Sequence, residues 1–306
     1  MQTTINSSVQ FSGIGLHTGE SVTMDIHPAT ADEGVKFIRT DVRDKDNVVD
    51  AHFDGVASSS LCTTIKNRPG VTVMTVEHVM AGLAACGIHN ALIELDGPEP
   101  PIMDGSALPF ATELLRVGVS VLDRPVSVMR IRKKISVWAE GSHASIEPSK
   151  FSEMEFHISF PRPIGKQRRV ENLANGAIVR RLVDSRTFCL WSQVNEMREQ
   201  GFGLGGDLEC NVLVADDVHN RYLGRSRHVD ECVRHKMLDA VGDLALAGCP
   251  FIGKFTGFKS GHALTNALLK KLFSDPDAFE IIVADASIAS SLPGVGADSS
   301  DVPVVH

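Results

Sequence analysis

His235-Lys236-Met237-Leu238-Asp239 places an imidazole and a carboxylate four residues apart in a segment with amphipathic helical spacing. Residues at i and i+4 lie on one helix face, so both side chains can point at one ion. Two ligands are too few for a catalytic zinc, which takes three protein ligands and keeps a position for water. Thr75-Val76-Glu77-His78 supplies the best third ligand, a His directly beside a carboxylate. His78, His235 and Asp239 together offer two nitrogens and one carboxylate. A Zn²⁺ site with that single negative charge stays positive enough to lower the pKa of a bound water toward about 7.

Neighbouring residues extend this chemistry. Adjacent helix residues point about 100° apart, so Glu77 does not share the ligand position of His78 but can reach a water as general base. Taken alone, it is a first-turn Glu favoured by the helix dipole. His262, just after Gly261 at the start of a helix, is placed to protonate a leaving amine or to stabilise an oxyanion. Asp243, eight residues from His235, lies close to the same helix face and can hold His262 charged and oriented. Lys236 is suited to a phosphate or an oxyanion, although a lone Lys is ordinarily a solvated one. His235 with Asp239 is a short pattern, and it gains weight only when the other residues join it.

The chain has 306 residues, 43% hydrophobic and 22% charged, a composition with ample core for one large or two smaller domains. A net charge of −8 and a pI near 5.8 disfavour nucleic acid or an anionic membrane as the main partner. They leave room for a small phosphorylated ligand held by a few cations. The six cysteines include no CxxC pair, so neither a zinc finger nor a thioredoxin motif follows, and reduced thiols in a cytosolic protein are expected. The start MQTTINSSVQFSG lacks a basic region and an apolar stretch, so no signal peptide is expected, and no run of about 18 apolar residues suggests a transmembrane segment.

The elements that must position these residues follow from periodicity and punctuation. Residues 3–27 read as a β-hairpin and 35–40 as a strand. Thr75 is expected to cap a helix that stops at Gly87, followed by a strand at 91–95 and a helix at 106–117. Leu122-Asp123-Arg124-Pro125 reads as a linker. Beyond it come strands at 127–138, 143–147 and 153–160, and a mixed segment at 168–206 with a helix through Asn195 and a glycine-rich loop. Then follow a strand at 211–215, a helix from an Asp230 cap to Gly248, a strand at 251–258, a helix at 262–273 and a strand at 278–284. The tail from Ser287, rich in Ser, Gly, Asp and Pro, is expected to be disordered. The predicted domains are therefore 1–122 and 123–286, with 287–306 as tail.

The halves resemble each other weakly. His78 to Gly87 aligns with Asp239 to Gly248, pairing Leu83 with Leu244 and Ala84 with Ala245. Similar domains packed face to face would bring His78 and Asp239 together, with a site between them. Two glycine-rich stretches, Gly201-Phe-Gly-Leu-Gly-Gly206 and Gly13-Ile-Gly15-Leu-His17, lack the βαβ frame that would make them dinucleotide-binding.

These residues fall within longer motifs: GIGLHTG (13–19), SSLCTT (59–64), TVEHVMAGLAACGIHNALIELDGPEPPIMDGSALPF (75–110), SRTF (185–188), GLGGDLECNVLVADD (203–217), VRHKMLDAVGDL (233–244) and FTGFKSGHALTNALL (255–269). In this combination, from about residue 3 to 284, the chain closely resembles the UDP-3-O-acyl-N-acetylglucosamine deacetylases, zinc amidases that commit bacteria to lipid A synthesis. The resemblance implies two α+β domains, each a sheet with two helices, packed helix layer on helix layer around the site. It implies Zn²⁺ on His78, His235 and Asp239, Glu77 as base, and His262 as acid or electrostatic partner supported by Asp243. Thr187 is implied to stabilise the oxyanion. Substrate contacts are implied for Lys236, Phe188, Leu61, Lys259, Trp191 and Val194, the last two in a segment forming an apolar passage for the acyl chain, which bulky Trp191 would narrow. The implied substrate is an acylated UDP-amino sugar and the implied setting cytoplasmic, and a monomer is expected. The competing classes are another zinc hydrolase, such as a deaminase or peptidase, and a non-catalytic zinc-stabilised binding protein. The second needs a closed fourth ligand, and no neighbouring Cys or His stands at ligand spacing.

Overall fold

Apolar and polar residues alternate along Ser21–Pro28, which buries Val22, Met24 and Ile26 on one face of a strand. The computed structural model describes residues 1–305 and has an α+β architecture. In the first half, five strands lie in the order Val9–Ile14, Ser21–Pro28, Ala91–Leu95, Val35–Arg39 and Val48–Asp50, with one parallel pair, between Val35–Arg39 and Ala91–Leu95. The expected hairpin is made by the first two of these strands. Thr3–Ile5 leaves it and pairs instead with Val119–Val121.

Helices α1 (Glu77–Ala85) and α2 (Leu108–Val117) belong to this half. Phe11 on the sheet meets Phe110 of α2 edge to face at 5.0 Å. Helix α1 ends as expected before Gly87, whose φ of +66° suits a residue without Cβ. Its start differs from expectation. Val76 occupies the N-cap without a side-chain cap, and Thr75, at φ +52°, donates its hydroxyl to Glu99 over 2.6 Å. A β-branched residue at positive φ is an uncommon strain, and the buried Glu99 carboxylate holds it in place.

The mixed segment after residue 166 builds strand Lys166–Asn172, α3 (Ala177–Arg181), strand Phe188–Leu190 and α4 (Val194–Glu199). The expected helix through Asn195 is shorter than its apolar spacing suggested. Leu190 ends a strand that pairs with Leu213–Asp216, Trp191–Gln193 is one 3-10 turn, and the helix starts only at Val194. In the second half, seven strands form one sheet, with Phe251–Phe258 central and Ser152–Ser159 parallel beside it. The single strand expected over 127–138 is two, Ser127–Ile131 and Ile135–Ala139. Helices α5 (Glu231–Ala245) and α6 (His262–Phe273) belong to this half. Asp230 stands at the N-cap of α5 but does not cap it, because its carboxylate accepts from Arg169 Nη1 (2.6 Å) and Arg234 Nε (2.7 Å) instead.

Helix α1 crosses directly on α5. A Cβ built on Gly242 would lie 2.0 Å from the Glu77 carbonyl oxygen, so only glycine permits this approach. The tail departs from the expected disorder. A short helix, α7 (Ala286–Ala289), is capped by Asp285, Leu292 is buried, Gly294 lies against the backbone of Gly87, and Asp301 pairs with Arg180 at 3.0 Å. Asp285 and Asp298 serve as caps, and one buried leucine anchors the tail, which composition alone does not reveal. All six cysteines are free. Among the described residues no helix is long and apolar enough to cross a membrane.

Candidate functional site

The first turn of α1 supplies Glu77 and His78, the middle of α5 supplies His235, Asp239 and Asp243, and the first residue of α6 is His262. All six are buried. Ligand atoms of His78, His235 and Asp239 lie within 4.8 Å of one another. Asp239 Oδ1 is 3.1 Å from His235 Nε2 and 3.5 Å from His78 Nε2. His235 Nδ1 donates to the Ser185 carbonyl at 2.9 Å, which leaves a lone pair on Nε2. Asp239 Oδ1 is itself buried without a hydrogen-bond donor. Lone pairs that converge in a buried place repel unless a cation joins them, so this donor set fits a metal ion. On the α5 side the donors are held in place: the Ser185 carbonyl orients His235, and Lys236 Nζ donates to Asp239 Oδ2 at 2.7 Å.

The protonation pattern follows from burial and neighbours. Burial, with the carboxylates of Asp243 and Asp239 adding to it, overcomes the nearby His262 and pushes Glu77 up to about 8. Burial disfavours the charge on His262, but Asp243 and Glu77 outweigh it and raise this imidazole to about 9. Asp243 Oδ2 accepts from His262 Nδ1 at 2.9 Å, and Nε2 stands 3.8 Å from Glu77 Oε1. Burial lowers His78, aided by His235, against the pull of Asp239. Asp239 is driven well below the usual carboxylate range: burial opposes its charge, but His235, Lys236 and His78 prevail. Burial likewise opposes the Lys236 charge, and the carboxylates around it win and raise its pKa.

All of these groups but Asp243, which stands behind His262, form the polar floor of a cleft of about 420 Å³. Thr187, Phe188, Leu61, Lys259 and Val194 all line it. Thr187 is fixed from the first half, its N–H donating to the Gly105 carbonyl at 2.7 Å. Phe188 meets Phe160 edge to face at 5.3 Å and faces the His235 ring at 6.2 Å. Away from His78, His235 and Asp239 the wall becomes apolar, with Leu190, Val194, Phe202, Val212 and Val214. Trp191 does not join it. Its side chain is 43% exposed outside the cleft lining, because the 3-10 turn directs it outward, so it does not narrow the passage.

Sequence reasoning missed several residues here. The two glycine-rich stretches set aside as lookalikes meet at the cleft: Gly205 N–H donates to Leu16 O (3.0 Å) and Gly203 N–H to His17 Nδ1 (3.3 Å). Glu99 gathers the His17 and Thr18 N–H groups and the Thr75 hydroxyl, which braces the turn before Glu77. Thr63 contacts both Glu77 and Asp243. Both Glu99, a Glu among prolines (98–101), and Thr63, in SSLCTT, fall inside the motifs of the resemblance, but neither residue type at its spacing points to these contacts.

The chain matches the family model for UDP-3-O-acyl N-acetylglycosamine deacetylase (LpxC) over residues 2–274. It is 39% identical over 284 residues to the UDP-3-O-acyl-N-acetylglucosamine deacetylase of Myxococcus xanthus, covering 92% of this chain and 90% of that protein. The proteins of the same name from Pasteurella multocida and Phenylobacterium zucineum are each 39% identical, covering 93% and 92% of this chain and 93% and 96% of theirs.

Proposed function

The chain belongs to the UDP-3-O-acyl-N-acetylglucosamine deacetylase family, and from that premise we propose that it hydrolyses the N-acetyl group of UDP-3-O-acyl-N-acetylglucosamine. The products are acetate and UDP-3-O-acyl-glucosamine, and the reaction is the committed step of lipid A biosynthesis, carried out in the cytoplasm by a monomer. The observation that carries this reading is the convergence of the His78, His235 and Asp239 ligand atoms beside Glu77 and His262, at the floor of a cleft whose far wall is apolar. The two halves act as domains 1–122 and 123–286.

His78, His235 and Asp239 would hold Zn²⁺, which when bound supplies a Lewis acid for the amide carbonyl and lowers the pKa of water. Glu77 accepts a proton from the attacking water as its oxygen adds to the acetamide carbon. Thr187 and the charged His262 face the oxygen on which negative charge develops. His262 then gives its Nε2 proton to the amine nitrogen as the C–N bond breaks, while Asp243 keeps the Nδ1 side of the ring fixed. Lys236 and Lys259 offer positive charge to the diphosphate, Phe188 and Leu61 border the sugar, and Val194 borders the acyl chain.

Acetate release from UDP-3-O-acyl-N-acetylglucosamine tests the reading, measured before chelation, after it and after zinc is restored. Activity that vanishes and returns supports substrate class and metal together. A folded, zinc-loaded protein that releases no acetate belongs to another hydrolase class.

A further inference from the structure

Thr63 is 1% exposed, and each of its polar groups has a partner in the site. Its N–H donates to Glu77 Oε2 at 3.1 Å. Its carbonyl accepts the N–H of Val76, the residue before Glu77, at 3.3 Å. Its hydroxyl donates to Asp243 Oδ1 at 2.6 Å, across 180 residues of sequence. The other Asp243 oxygen takes His262 Nδ1, and His262 Nε2 looks back at Glu77 Oε1. Thr63, Glu77, His262 and Asp243 therefore close a ring, with two members from each half of the chain.

We propose that Thr63 is a positioning residue that ties the base to the acid, an inference resting on the deacetylase reading above. A hydroxyl has one hydrogen, and here Asp243 takes it. That bond sets the carboxylate plane, so the second oxygen meets His262 Nδ1 and the imidazole edge is aimed at the cleft. The backbone N–H of the same residue fixes one Glu77 oxygen and leaves the other facing the reacting atoms. Displacing either half of the ring thus changes the distance between proton acceptor and proton donor, the quantity on which a two-proton hydrolysis depends.

Thr63→Val removes the hydroxyl and keeps the backbone contact to Glu77. The expected result is a loss of about 10- to 100-fold in kcat, with KM and bound metal unchanged and with Thr63→Ser recovering most of the rate. A residue that merely supported the fold would lower thermal stability without this split. The loss should nearly disappear in an Asp243→Ala background, where the hydroxyl has nothing to position; Thr63→Ala replaces Val in this cycle if the Val variant does not fold. A Thr63→Val enzyme within about twofold of wild type, or an equal loss in both backgrounds, overturns the inference. Wild-type protein that releases no acetate in the same assay overturns the deacetylase reading instead.

Discussion

Helices α1 and α5 border two cavities of opposite chemistry. At one end, Glu77 and His78 on the first turn of α1 face Asp239 on α5, in a cleft of about 420 Å³. At the other, Leu83, Ala84, Val241, Leu244 and Ala245 of the same helices line a cavity of about 110 Å³ whose titratable groups are His89 and Cys249. About two turns along α1, or a change of face on α5, where Val241 stands between Asp239 and Asp243, are enough to turn a surface that assembles charge into one that excludes it. The polar end costs folding free energy, since buried carboxylates need partners: Thr63 and His262 serve Asp243, Thr63 N–H serves Glu77, and Lys236 serves one oxygen of Asp239, whose other oxygen has none. The apolar end carries the burial that offsets this cost. Activity should thus depend on one end and stability on the other.

The largest expected effect is at the polar end. Glu77→Gln should lower kcat by about 100- to 10,000-fold while bound metal is retained. In wild type the rate should rise with pH as Glu77 loses its proton and fall as His262 loses its own, and the rising limb should vanish in the variant. Near-wild-type turnover would remove Glu77 from the reaction. At the apolar end, Leu83→Ala should cost about 2–5 kcal/mol in denaturant unfolding and leave kcat of the folded enzyme within about twofold. A large kcat loss with little destabilisation would show the two ends are not separable.

His89 offers a subtler test. Burial, with the nearby N-terminal amino group, lowers its pKa to about 4. The folded value lies below the unfolded one, so its penalty is absent above about pH 6.5, grows as pH falls, and is complete below about 4, at roughly 3 kcal/mol. His89→Gln should flatten the loss of stability between pH 7 and 4.5, and an unchanged acid profile would assign that loss to other groups. The smallest effect is Val241→Ile, which extends a methylene into the apolar cavity. A gain of about 0.5–1 kcal/mol is expected by thermal or chemical unfolding, and destabilisation would mean the space is already optimally filled.

Much of the frame was legible because local signals and tertiary packing agree. Ala91–Leu95, Phe251–Phe258 and His262–Phe273 stand where alternation, Gly and Pro placed them. The cluster of His78, His235 and Asp239 was also legible, since i, i+4 spacing and the Glu-His pair are local patterns. What escaped was decided by contacts distant in sequence. Asp230 gave its carboxylate to two arginines rather than to a cap, and Thr75 gave its hydroxyl to Glu99. Trp191 follows a strand whose partner begins at residue 213, and that pairing overrode its helical spacing. Thr63 lies in the SSLCTT motif but carries no spacing that tells its role, because that role lies in its contacts with Glu77 and Asp243.

The close crossing at Gly242 has a consequence for how this chain tolerates change. The position holds no reactive group and touches no substrate, yet a single methyl there would meet the Glu77 carbonyl at 2.0 Å and wedge the two helices apart. The absent side chain works as a ruler that sets how far Glu77 and His78 stand from His235 and Asp239. A survey of substitutions along the chain would therefore find Gly242 as unforgiving as a residue that handles protons, although what it contributes is only a lack of bulk.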